Sequence, residues 1–163
     1  YECNEGKPSV LYTGNHLGIR NAMDRRPAFE SGGAGLVSTI DDYSHFAQML
    51  LNGGNYKGKQ ILSPAMVRFM TSHVLSAAQQ EVFEREGMAW LEGFSYGNFI
   101  RVLVNPGRST TLGSKGEYGW DGWLGCYFAN APQDQMTILM MTQKKDSGTF
   151  RMTRLLRNTI YNQ

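Results

Sequence analysis

One serine of this chain stands where a nucleophile could be: Gly93-Phe-Ser95-Tyr-Gly97 has the Gly-x-Ser-x-Gly spacing of a nucleophile elbow. Such an elbow works on a strand-to-helix turn, with an acid and a histidine following the serine in the chain. Here His16, His45 and His73 all precede Ser95, and Phe99 to Val104 reads as strand, so the spacing lacks its context. The histidines are too far apart for a His-x-x-x-His pair, and no cysteine or carboxylate neighbours complete a metal set. Asp41 and Asp42 would make a carboxylate pair for acid–base work, but they open a helical pattern, where acids complement the helix dipole. Cys3 and Cys126 lie at opposite ends of the chain in unlike surroundings, which supports neither a disulfide framework nor a zinc site. Both read as free thiols, with Cys126 buried in a strand.

The elements that would position these groups follow from periodicity. Residues 1–35 are rich in Gly, Asn and Pro and read as an extended loop region ending in Ser31-Gly-Gly-Ala-Gly35. Thr39 is an N-cap for a helix of about 12 residues whose apolar side is Tyr43, Phe46, Ala47, Leu50 and Leu51, stopped by Asn52-Gly53-Gly54. After a Lys57-Gly58-Lys59 turn, Ser63 and Pro64 announce a second helix with Met66, Val67, Phe69 and Met70 inward. Ala77 to Glu86 is polar and helix-compatible. Beyond residue 88 the texture changes: Phe94–Val104, Tyr118–Asn130 and Met136–Gln143 read as three antiparallel strands, separated by Asn105-Pro-Gly107 and Ala131-Pro-Gln-Asp134 turns. Phe150, Met152, Leu155, Leu156, Ile160 and Tyr161 then mark a closing amphipathic helix that covers one face of the sheet. The fold class is α+β, an antiparallel sheet flanked by helices, with 1–87 as the loop and helical part and 88–163 as the strands plus last helix of one structural domain.

Composition narrows the function classes. The 163 residues are 41% hydrophobic and 18% charged, as in an ordinary globular domain. Net charge is +2, and its 16 basic residues are scattered, so a nucleic-acid partner finds no patch. Arg151, Arg154 and Arg157, spaced three apart, read as a solvated helix face. No apolar run reaches the length of a membrane span.

The order of the pieces carries a resemblance. Ser31-Gly-Gly-Ala-Gly-Leu-Val-Ser-Thr-Ile-Asp-Asp-Tyr43, then Met49-Leu-Leu-Asn-Gly-Gly54, then Gly58-Lys-Gln-Ile-Leu-Ser-Pro64 is similar to the consensus run of β-lactamase-related serine hydrolases. That superfamily includes class C β-lactamases, penicillin-binding DD-peptidases and esterases. Gly119-Trp-Asp-Gly-Trp-Leu-Gly125 resembles its third motif, and Ile138-Leu-Met-Met-Thr-Gln143 the strand after it. The resemblance runs from about residue 29 to the C-terminus, which implies the C-terminal portion of the β-lactamase/transpeptidase-like fold.

In that family the nucleophile sits in Ser-x-x-Lys, and a Tyr-x-Asn tyrosine assists proton transfer, both upstream of the matched run. No serine here has Lys three positions later. Tyr96-Gly97-Asn98 has the letters of the second motif but falls after the Ser-Gly-Gly segment, where the family has a strand, and is taken as coincidence. The third motif is Lys-Thr-Gly in the lactamases and begins with His or Trp in related enzymes; the matching positions are Trp120, Asp121 and Gly122. By this resemblance, Gly122 lets backbone approach substrate, and the N–H of Trp123 is one of two donors to the developing oxyanion. Trp120 in place of Lys cannot hold a substrate carboxylate by charge, which points to neutral esters or amides rather than β-lactams or D-Ala-D-Ala peptides. The competing possibility is that Trp120 and Trp123 are ordinary sheet aromatics. Ser114-Lys115-Gly116 is a minor rival for the third motif, though Gly113 and Gly116 argue for a turn.

The resemblance thus implies a parent acyl-serine hydrolase without metal or organic cofactor, of which this chain is a C-terminal fragment, inactive alone. A non-catalytic module that binds peptidoglycan or peptide through Trp120 and Trp123 is the alternative. The family's N-terminal strands pair with the last strand of this sheet, so Met136–Gln143 should offer an open edge to the missing N-terminal half or to a second copy.

Overall fold

The computed structural model describes residues 1–2, 8–14, 26, 28–33, 35–86, 91–145 and 150–163. Cys3, His16, Ala34 and the expected boundary at 87–88 lie outside the described residues.

Local chemistry sets each helix start. In α1 (Ile40–Leu51) the Thr39 hydroxyl accepts from the Asp42 N–H at 3.1 Å, with Asp41 and Asp42 in the first turn. A hairpin of β1 (Asn55–Tyr56) and β2 (Lys59–Gln60) closes over the expected Lys57-Gly58 turn. In α2 (Pro64–Thr71) Ser63 accepts from Met66 N–H at 3.1 Å. In α3 (Ala77–Arg85) Ser76 and Gln79 form a reciprocal capping box, the signal that identifies this polar segment as a helix. The inward faces are narrower than the apolar pattern implied. On α1 the buried residues are Ala47, Met49 and Leu50, while Phe46 is exposed; on α2 only Val67 is buried, and Met66 and Phe69 are exposed.

Among the described residues the sheet has five strands rather than the expected three. β3 (Phe94–Tyr96), β4 (Arg101–Leu103), β5 (Tyr118–Asp121), β6 (Tyr127–Ala131) and β7 (Met136–Met140) pair antiparallel in chain order. The expected strand 94–104 is a hairpin, because Gly97 N–H donates to Ile100 O at 2.7 Å and Phe99 takes a left-handed φ of 65°. The expected strand 118–130 is a hairpin too. Gly122 N–H donates to Cys126 O at 2.7 Å, Gly125 N–H to Gly122 O at 2.9 Å, and Gly125 has φ 93°. Cys126 is therefore not buried in a strand: it is half-buried in this turn, its thiol facing Thr142 O at 3.4 Å.

Register sorts the sheet's side chains onto two covered faces. Val102, Tyr118 and Phe128 pack against Ala47 and Leu50 of α1 and Val67 of α2. Their neighbours Tyr127, Ala129 and Ile138 point the other way, against Leu156 and Ile160 of α4 (Phe150–Tyr161). β6 lies between both helices, and all five of its residues are buried. That sandwich is why its sequence, Tyr-Phe-Ala-Asn-Ala, lacks alternation. Asn130 satisfies itself there by donating to Ala47 O at 2.8 Å and accepting from the Thr137 hydroxyl at 2.7 Å.

The basic triplet of α4 is not a solvated face. Arg151 is exposed, but Arg157 is 2% exposed and enters the sheet. Its Nη1 pairs with Glu117 and donates to Tyr127 Oη at 2.7 Å, its Nε to Thr111 Oγ1 at 2.9 Å and its Nη2 to Leu112 O at 2.7 Å. The Tyr161 hydroxyl donates to the other Glu117 oxygen at 2.8 Å. Burial works against the Arg157 charge, but Tyr127 and Glu117 more than offset it and raise its pKa. Burial and Glu117 together raise the pKa of the Tyr161 hydroxyl, so it stays a donor at neutral pH.

The sheet's two edges differ. β3 is covered by the α2–α3 connection and by α3: Val74 N–H donates to Tyr96 O at 3.1 Å, and Gln80 Nε2 of α3 to Phe94 O at 2.8 Å. Among the described strands β7 pairs with β6 alone. Past the end of β7, within the stretch to Gln143 expected to be an open edge, the Tyr1 amino group donates to Gln143 O at 2.9 Å, and Glu2, itself paired with Val10, bridges Lys145.

Removing one member of a buried pair strands the other, at a cost of about 3–5 kcal/mol. Arg157→Ala should lose about that much in urea denaturation, whereas Arg151→Ala should stay within about 0.5 kcal/mol of wild type. Equal losses would place both arginines on the solvated face read from the sequence.

Candidate active site

The residues of the third-motif resemblance lie together at one end of β5. Pairing between β4 and β5 runs through Val102↔Tyr118 and stops at Arg101↔Gly119, while pairing with β6 continues to Trp120↔Phe128 and Asp121↔Tyr127. Trp120 and Asp121 therefore overhang β4. They lead into the Gly122–Cys126 turn, where Trp123 is 61% exposed and Leu124 is also exposed.

The two glycines of this stretch serve different needs. A Cβ on Gly119 would drive into the Phe128 carbonyl oxygen of β6, so the sheet itself demands glycine there. A Cβ on Gly122 would meet nothing closer than Cys126 Cβ at 3.4 Å, and its φ is not left-handed. The fold makes no such demand at Gly122.

Side chains at this end are aromatic outward and charged inward. The Trp120 ring, 37% exposed, meets Tyr96 edge-on at 5.4 Å between centroids, and Tyr96 in turn lies 6.2 Å from Phe83. Phe128, opposite Trp120, is 5.6 Å from Tyr43, whose hydroxyl pKa is raised by burial and then by the neighbouring Cys126. The Asp121 carboxylate turns to the α4 face. There Oδ2 accepts from Arg101 Nη1 at 2.8 Å, while Oδ1 is buried without a partner. Burial raises its pKa more than the attraction of Arg101 and Arg157 lowers it.

Among the other candidates, Ser95 is 2% exposed on β3, its hydroxyl is without a partner, and β3 leads into another strand rather than a helix. Tyr96-Gly97-Asn98 starts the β3–β4 turn, where Asn98 Nδ2 donates to Phe69 O at 2.9 Å. Its tyrosine nevertheless lies against Trp120, a neighbourhood that spacing did not reveal. Ser114-Lys115-Gly116 forms the turn before β5, closed by Glu117 N–H donating to Ser114 O at 3.0 Å. Asp41 and Asp42 sit at the α1 start, and His45 is exposed with its ring 5.3 Å from Tyr56. Among the described residues no three His, Cys, Asp or Glu side chains converge as a metal would need. Arg101 is not among the residues the motifs single out; its signal in the sequence is a lone arginine inside Phe-Ile-Arg-Val-Leu-Val, a buried charge needing a partner.

The family model for β-lactamases matches residues 5–161. The chain belongs to the β-lactamase family. Its sheet and helices form part of the β-lactamase/transpeptidase fold. EstCE1, a hydrolase with promiscuous acyltransferase activity, superposes with a TM-score of 0.66 at 26% identity, over 82% of this chain and 32% of that one. Unliganded simvastatin synthase (LovD) from Aspergillus terreus shares the fold at a TM-score of 0.59 and 18% identity, over 73% of this chain and 32% of that one. An uncharacterized Mycobacterium tuberculosis protein and a putative D-alanyl-D-alanine carboxypeptidase of Escherichia coli K12 are each 32% identical over 120 residues, 72% of this chain. The β-lactamase-family chain spans 30% and 24% of the lengths of these two relatives.

The glycine contrast gives a direct check. Gly119→Ala should destabilise the chain by about 2 kcal/mol or more, because backbone must shift to admit the methyl. Gly122→Ala should stay within about 1 kcal/mol. Thermal melts that rank the two the other way would show that the steric demand lies in the turn.

Proposed function

We propose that this chain forms one wall of an acyl-serine hydrolase site that takes neutral esters or amides. The observation that carries it is the overhanging Trp120-Asp121 end of β5 with the Gly122-Trp123 turn that follows it. It is aromatic on its exposed side, has its one carboxylate turned inward, and keeps a glycine that the fold does not require. In the proposed reaction a serine Oγ gives up its proton as it attacks the substrate carbonyl, and the oxyanion takes a hydrogen bond from Trp123 N–H. Collapse breaks the bond to the leaving group, which takes up that proton and departs as the alcohol or amine; water then attacks the acyl-serine, releasing the carboxylic acid and restoring the serine hydroxyl. Gly122 keeps a side chain out of the path of the substrate backbone. Trp120 offers a stacking surface but no charge for a terminal carboxylate, which favours neutral acyl donors over the substrate implied by the name of the carboxypeptidase relatives.

No serine of the chain stands in Ser-x-x-Lys and Ser95 is buried, so the proposed nucleophile comes from outside these 163 residues. We assign the edge of β7 that no described strand covers to the strand that brings it, and to a second copy when the chain is alone. Met136-Thr-Ile-Leu-Met140 has no charge or proline to discourage pairing. The exposure of Trp123 also keeps a second reading, a non-catalytic module that holds peptidoglycan or peptide on Trp120 and Trp123.

Intact mass after excess fluorophosphonate decides between them. The 163-residue chain should stay unmodified, and the product of its complete reading frame should gain one adduct on a serine with lysine three positions later. An adduct on Ser95 would overturn the site assignment, and an inert complete product would leave the binding module. Sedimentation tests the edge: the chain alone should self-associate with rising concentration, and Met140→Lys should weaken this. A chain that remains monomeric at high concentration sinks the edge proposal.

A further inference from the structure

Asp121 and Arg101 form a buried ion pair that the proposed chemistry does not use directly. Their side chains are 13% and 3% exposed. Arg101 sits opposite Gly119, the last residue of β5 that β4 reaches, and its guanidinium extends past the end of that ladder to the Asp121 carboxylate. The guanidinium is itself held: its central carbon lies 5.5 Å from the Phe94 ring and 5.1 Å from the Tyr127 ring. The overhang of β5 thus has β6 on one side through backbone pairing, and on the other side a rigid cation that grips it diagonally. Beyond Asp121 the chain leaves the β5 ladder and enters a turn held from the β6–β7 side, where Gly122 N–H donates to Cys126 O at 2.7 Å and Lys144 N–H to Leu124 O at 2.8 Å; the Arg101–Asp121 pair is the contact from the β4 side.

We infer that the Arg101–Asp121 pair is a positioning device: it fixes the overhanging end of β5 relative to β4 and so sets where the Trp123 N–H stands. The catalytic part of this inference rests on the reading of Trp123 as an oxyanion donor; the mechanical part does not. Asp121 is then a positioning residue rather than a substrate contact. Its second oxygen, buried and without a partner, is the cost of aiming the first one at Arg101. The guanidinium fork matters because it presents donors in one plane. A lysine in its place would keep the charge and lose the direction.

Backbone 15N heteronuclear NOEs of the 163-residue chain test the mechanical part, in wild type, Asp121→Asn and Arg101→Lys. Both variants should lose order at Gly122–Gly125 and keep wild-type values at Tyr118, Gly119 and α1. Unchanged values everywhere, or an equal fall across the sheet, overturn the inference. If Asp121→Asn does not fold, Arg101→Lys carries the same comparison, and failure of both to fold assigns the pair to stability alone. In the complete reading frame the same variants should be acylated by fluorophosphonate about tenfold more slowly at saturation with an unchanged half-saturating concentration, as a displaced donor would give. A wild type inert to the probe removes the hydrolase reading and leaves the NOE comparison to decide the clamp. A reactive wild type with equally reactive variants keeps that reading and removes the clamp's part in it.

Discussion

Arg157 leaves the last helix and ends inside the sheet, where every nitrogen of its guanidinium has a partner: Glu117, the Tyr127 hydroxyl, Thr111 and the Leu112 carbonyl. Such a pair contributes little to net stability compared with a well-packed apolar substitute, because two ions must be stripped of water. Its force is exclusive. Any other seating of α4, one turn along or rotated, would leave Glu117 buried and alone beneath the helix, at a cost of several kcal/mol. Leu156 and Ile160 would tolerate small shifts of apolar contact; the charges would not. The ion pair therefore selects one docking of α4 from the many that hydrophobic packing would accept.

From that docking the site follows. With α4 on one face and α1 on the other, β6 is covered on both sides and becomes the stiff centre of the sheet. β5 rests on β6 along its whole length but on β4 only over its first half. A strand that outruns one neighbour offers a backbone end that is fixed without being enclosed, a property that catalytic and binding segments share. The alternation of β5 then sorts its residues by face: Trp120 goes to the aromatic row of Phe128 and Tyr43, and Asp121 goes to the charged layer with Arg101, Glu117 and Arg157.

Much of this was legible in the sequence, for identifiable reasons. Thr39, Ser63 and Pro64 are capping signals that act within a single turn, so the helix starts could be read from them, and the Gly-Trp-Asp-Gly-Trp-Leu-Gly stretch marks the segment on which the proposed site rests. What escaped was whatever depends on partners distant in sequence. Two hairpins were read as single strands because their turns lie inside runs of aromatic and aliphatic residues, with only Gly97 and the Gly122–Gly125 pair to mark them. Arg157 looked like one of three solvated arginines because spacing of three describes a helix face and says nothing of what that face meets. The Tyr96–Trp120 contact joins strands that are not even neighbours, and no periodicity encodes it.

The charged layer also bears on the neutral substrate proposed for this site. Arg101, Arg157, Glu117 and Asp121 are two cations and two anions within one buried layer under α4, so their fields largely cancel at the exposed end of β5. A lysine at the Trp120 position, as the resemblance gives it for lactamases, would add an uncompensated charge on the solvent side, close to where a substrate carboxylate would bind. Tryptophan leaves that position uncharged while the four buried charges fix the backbone behind it. On the proposed reading, specificity at such a surface rests on the shape and stacking of the Trp120–Tyr96 pair, and the electrostatic contribution is left to the backbone donors of the turn, which would act on the oxyanion only as it forms.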